Sequence, residues 1–94
     1  MSEVTELKKQ IIQKLNQVND RRQLRNIQKM MDRLGDLQAF LNNPANPMPR
    51  SEGVSFYREN IDLATLPNDG GEGSLKVLVE QAMNQMETLE SQIQ

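Results

Sequence analysis

Neither cysteine nor histidine occurs in the 94 residues, and tryptophan is absent too. Without cysteine there is no disulfide framework, no thiolate chemistry and no cysteine-based metal site. Without histidine the chain lacks the commonest general base, the commonest metal-binding side chain and the usual switch near neutral pH. Aromatic side chains are scarce, Phe40, Phe56 and Tyr57 being the full set. No apolar run reaches the eighteen residues that would suggest a transmembrane helix. The opening MSEVTELKKQ lacks the basic start and apolar centre of a signal peptide, so the expectation is a cytoplasmic protein. There is no internal repeat and no low-complexity tract.

A chain this short forms one domain, and it buries only roughly 60–65% of the surface its unfolded form exposes. Its core is therefore thin, and it is built from Leu, Ile, Val and six methionines rather than from rings. Methionine is flexible and polarizable, which suits irregular gaps or an adaptable binding surface.

The strongest pattern lies between Asp20 and Asn43. Leu24, Ile27, Met31, Leu34, Leu37 and Leu41 recur at steps of three and four residues, the spacing of one helix face. Arg21, Arg25, Lys29 and Arg33 follow one another at four-residue steps on the opposite side of the same helix. A first helix is predicted over about Glu3–Gln17, with Ser2 as its cap and Val4, Leu7, Ile11, Leu15 and Val18 as its buried stripe, Ile12 lying at its edge. Glu3 and Glu6 sit at the positive end of its dipole, and Lys8, Lys9 and Lys14 toward the negative end. The short link Gln17–Asp20 makes the two helices neighbours in an αα-hairpin. Asp20 with Gln23 resembles a capping box. Gly35 within helix two implies either a close helix–helix contact or a slight bend, and the unbroken stripe favours a continuous helix.

Pro44, Pro47 and Pro49 end the hairpin and favour extended backbone. Gly53–Tyr57 alternates like a strand, yet the chain offers it no second strand to pair with, and a lone strand is unstable. It must pair with another chain, pair with itself across a dimer, or not be a strand at all. Residues 68–73, NDGGEG, read as a turn-rich linker. A last helix is predicted from Ser74 to about Ile93, with Leu75, Leu78, Ala82, Met86, Leu89 and Ile93 as its stripe and Val79 and Met83 widening it. The fold class is all-α. Residues 1–43 form a helical hairpin, 44–73 an extended or irregular connection and 74–94 a long C-terminal amphipathic helix, all in one domain. Small adaptors and antitoxins share such a layout, an analogy of layout only.

Candidate chemistry is sparse. The carboxylates fall on helix surfaces and in the linker, not at apolar positions where burial would shift a pKa, so no catalytic residue is assigned. NDGGEG lacks the alternating ligands of a calcium loop and the Lys of a phosphate loop, and it reads as a hinge. No metal and no cofactor are expected. The paired methionines Met30, Met31, Met83 and Met86 read as core between helices two and three. The stripe Arg21, Arg22, Arg25, Lys29 and Arg33 could meet phosphates, the acidic last helix or an acidic partner.

Net charge is −2, but residues 1–43 carry +3 and residues 44–94 carry −5. Opposite-signed halves either attract each other or present different faces to partners. The expected function is a non-catalytic protein-interaction module, an adaptor or regulator that self-associates and makes no membrane contact. Its binding surface would include Val54, Phe56, Tyr57, Ile61, Leu63, Leu66, Val79, Met83 and Met86. Those residues exceed what three simple stripes can bury, which argues for a second copy unless the connection folds back over them. The alternative is a nucleic-acid-associated regulator that uses the basic stripe.

Overall fold

The structure, a computed structural model, describes residues 3–50 and 52–93. All regular elements among them are helical: α1 (Glu3–Ile12), α2 (Arg21–Asn42), α3 (Val54–Asn60) and α4 (Leu75–Ile93). Three single 3₁₀ turns, Leu15–Gln17, Leu63–Thr65 and Gly71–Gly73, punctuate the links. The first helix is shorter than its pattern suggested. Beyond Ile12 the backbone tightens into three-residue bonds, with Lys14 N–H donating to Ile11 C=O at 2.9 Å and Val18 N–H to Leu15 C=O at 3.0 Å. Residues three apart eclipse one another in such a turn, so Leu15 and Val18 lie together, half-buried against the core. Ile12 is left 53% exposed. The expected Ser2 cap lies outside the described residues.

Asp20 caps α2: its Oδ1 accepts from Arg22 N–H at 2.8 Å and Gln23 N–H at 3.2 Å. The reciprocal half of a capping box does not form. The Gln23 side chain instead donates from Nε2 to Thr65 Oγ1 at 2.7 Å and accepts at Oε1 from Asp62 N–H at 2.7 Å. It therefore ties the second 3₁₀ turn to the start of α2. The helix runs through Gly35 without a break, and a Cβ built there meets nothing within 4 Å, so no close helix contact requires that glycine. Asn43 closes the helix, and Asn46 Nδ2 donates back to Ala39 C=O at 3.1 Å.

The strand-like segment is a helix. Val54, Tyr57 and Ile61 are all buried, and their three- and four-residue steps are a helical stripe that short-range alternation had masked. The local chemistry favours it. Glu90 Oε2 accepts from Val54 N–H at 3.0 Å, satisfying a free donor of the first turn. Asn60 Nδ2 donates to Phe56 C=O at 2.8 Å near the other end. A seven-residue helix is too short to persist alone, and its contacts with α2 and α4 supply the missing stabilisation.

Gly71 takes φ +58°, the left-handed region where a glycine is needed, and turns the chain into α4. Ser74 then caps α4, accepting from Val77 N–H at 3.3 Å and donating to Asn68 Oδ1 at 3.0 Å. α4 packs on α1, α2 and α3, which is why its apolar stripe is wide. Val79 and Ala82 are fully enclosed, as are Met30, Leu34 and Met86. The four paired methionines fill the core, as their spacing implied.

Candidate partner-binding surface

The residues expected to meet a partner through apolar contact lie inside the single chain. Val54, Tyr57, Ile61, Leu66, Val79, Met83 and Met86 are each at most 6% exposed, and Phe56 and Leu63 are half-buried against the same core. The connection folds back over the helices and covers the surplus apolar surface itself. With that surplus covered, the apolar faces of the described residues do not require a second copy. Among the large apolar side chains of the described residues, only Ile12 and Met48, each 53% exposed, stand out into solvent. They are single residues and make no patch.

The basic stripe is different. Arg21, Arg22, Arg25 and Lys29 are all exposed, and none forms an ion pair with a described residue. An α-helix turns 100° per residue, so these four occupy an arc of roughly 100° along the first half of α2. Between Arg21 and Met31 this helix carries no acid. Asp20 stands before them but is occupied as the cap.

The fifth cation is used internally. Arg33 Nε lies 3.4 Å from Glu90 Oε2, and the two side chains are only 11% and 24% exposed. Because the same oxygen accepts Val54 N–H, one carboxylate joins α2, α3 and α4. Nothing in local sequence spacing marks this junction, since Arg33 and Glu90 are 57 residues apart. A second pair, Arg58 with Glu87, fastens α3 to α4, and Arg58 Nη2 also donates to Asn84 Oδ1 at 3.0 Å. Its exposure makes it worth little to stability.

A cleft of about 370 Å³ opens beside the stripe, between α2 and the start of α3. Lys29, Asp32, Arg33 and Asp36 enter it from α2, Arg50 and Glu52 from the connection, and Tyr57 from α3. Burial pushes the Tyr57 hydroxyl above its ordinary range; the Arg33 charge opposes that, and Glu52 and Asp32 reinforce it. The hydroxyl therefore stays protonated through neutral pH and can donate a hydrogen bond. No group of three or more acids among the described residues is arranged to hold a metal ion.

The fold and surface define a small helical domain with one exposed cationic helix face. Compared with known protein families, characterised proteins and solved structures, the chain shows no significant match.

Proposed function

We propose that this chain is a non-catalytic interaction module, a small adaptor or regulator, whose contact surface is the cationic face of α2. Its partner is a protein segment rich in Asp and Glu. The observation that carries this reading is the set Arg21, Arg22, Arg25 and Lys29, exposed together and without counter-ions among the described residues. Clustered like charges repel one another within a fold and release that cost when an opposite charge arrives. Along the helix, Arg21, Arg25 and Lys29 rise about 6 Å per step, the interval at which a facing helix presents carboxylates four residues apart. No catalytic role is proposed, because Glu90, a half-buried carboxylate, is already engaged by Arg33 and by Val54 N–H.

The same stripe supports the nucleic-acid reading, but three observations favour protein. The chain is net acidic at −2. Asp32 and Asp36 stand exposed at the end of the stripe. No aromatic ring is exposed for base stacking: Tyr57 is buried, and Phe40 and Phe56 are half-buried.

The test is fluorescence polarisation at physiological salt, with a labelled helical peptide bearing Glu at every fourth residue and a labelled oligothymidylate. The expected result is peptide binding that is lost in Arg21→Gln/Arg22→Gln/Arg25→Gln, with the oligonucleotide weaker. Tighter oligonucleotide binding, falling steeply as salt rises, would favour the nucleic-acid regulator instead.

A further inference from the structure

Tyr57 combines two properties that seldom occur together. Its ring is among the most enclosed in the core, 1% exposed, and meets Phe56 edge-on with centroids 5.1 Å apart. Its hydroxyl makes no hydrogen bond with a described residue. Yet no fully buried side-chain oxygen or nitrogen among the described residues lacks a partner. The oxygen is therefore not fully enclosed; Tyr57 lines the cleft, and the charges acting on it, Arg33, Glu52 and Asp32, are cleft residues. A rigid, protonated donor with an unused bond sits at the floor of a charged pocket.

The cations around it are unequal. Arg33 is held by Glu90, whereas Lys29 and Arg50 are exposed and make no ion pair with a described residue. Lys29 is also the last free member of the α2 stripe, so a segment lying along that stripe reaches the cleft mouth there. Three acids, Asp32, Asp36 and Glu52, balance the three cations. A neutral cleft does not draw in a run of negative charge. It admits one anionic group, placed by a donor.

Building on the reading of α2 as a surface for an acidic protein segment, we propose that this cleft anchors one side-chain carboxylate of that segment, with the Tyr57 hydroxyl as donor and Lys29 and Arg50 flanking it. The stripe supplies attraction, and the cleft supplies register. The acids at the rim turn away a polyanion, whose next phosphate would sit against Asp32 or Asp36.

Tyr57→Phe tests this cleanly, because it keeps the packed ring and removes only the oxygen. With the Glu-bearing peptide, wild type binds, and Tyr57→Phe binds about tenfold more weakly, as expected for a lost hydrogen bond to a charged group. Arg50→Gln weakens binding severalfold. The thermal midpoint of Tyr57→Phe stays at the wild-type value; a clear drop would place the hydroxyl inside the fold's own network and overturn the proposal. If Tyr57→Phe and Arg50→Gln both bind within twofold of wild type while Arg21→Gln/Arg22→Gln/Arg25→Gln loses the peptide, the anchor is refuted and the α2 surface stands. If the triple variant binds like wild type, or wild type does not bind at all, the α2 reading falls and the anchor with it.

Discussion

Replacing Gly35 with alanine adds a methyl group where the protein has room for it. Gly35 lies well inside the 22-residue α2, its φ is not positive, and a Cβ there meets no atom within 4 Å. No steric term opposes the substitution, so the remaining effect is backbone entropy. Glycine within a helix is about 0.5–1 kcal/mol less favourable than alanine, largely because it gives the unfolded chain more freedom to lose. Gly35→Ala should stabilise by that amount. In a domain of this size such a gain raises the thermal midpoint by roughly 2–8 °C. Two other glycines give the opposite sign and act as controls. A Cβ on Gly53 would lie 3.3 Å from Glu90 Oε2, the oxygen that also holds Val54 N–H and Arg33. Shifting that carboxylate should cost about 1 kcal/mol, the worth of a helix-capping bond. Gly71, at φ +58°, should lose ~1–2 kcal/mol on conversion to alanine. Thermal melts of the three variants, followed by circular dichroism, make the comparison. A Gly35→Ala midpoint at or below wild type would refute the reasoning, since α2 would then have to bend or press against something at that position.

Leu34 is fully enclosed, so Leu34→Ala should cost ~2–5 kcal/mol, enough to unfold a marginal domain in denaturant titrations; a change below about 1 kcal/mol would place the α2 stripe outside the core. Tyr57 is the only tyrosine, so its tyrosinate absorbance can be read without overlap. Its folded pKa is raised above the unfolded value of 10.0, so the associated stability is intact below pH 10 and is lost as pH rises through the folded value. Ionisation should begin above that of a free tyrosine, and Tyr57→Phe should unfold at higher pH than wild type; tyrosinate appearing at the ordinary pH with the helix intact would contradict the burial. Light scattering at tens of micromolar and physiological salt should give a monomer mass, because the connection covers the surplus apolar surface, and a dimer lost in Met83→Glu with the fold intact would restore the two-copy account.

The long helices were legible because each signals itself locally. The stripe of α2 and the Asp20 cap lie within one stretch, and α4 announces its start through Gly73 and Ser74. α3 was not legible, because its formation depends on a distant residue. Val54 to Tyr57 carries β-favouring side chains in alternation, and the acceptor for the Val54 N–H of the first turn is the Glu90 carboxylate, 36 residues away. The same distance hid the Gln23 contacts with Asp62 and Thr65, which draw the connection onto α2. Surplus apolar residues on a short chain signal that something must cover them. They do not say whether the cover is a second molecule or the chain's own connection.

The charge asymmetry of the two halves offered the same choice, attraction within the fold or display to a partner. Arg33 with Glu90 is the one ion pair among the described residues that crosses between residues 1–43 and 44–94. Arg58 with Glu87 lies within the second half. Among the described residues, attraction between the halves is thus spent at the Arg33–Glu90 junction, where burial strengthens it and where Glu90 also caps α3. Arg21, Arg22, Arg25 and Lys29 remain on one face of α2, while Glu80 remains exposed on α4. Had these charges served mainly to hold the domain together, more of them would have met across the helices that already pack side by side. Their separation gives α2 a field that a partner can feel before contact. At physiological salt that field decays over about 8 Å, so it steers only a segment already close to the helix, and the cleft at Lys29 must supply the remaining selectivity.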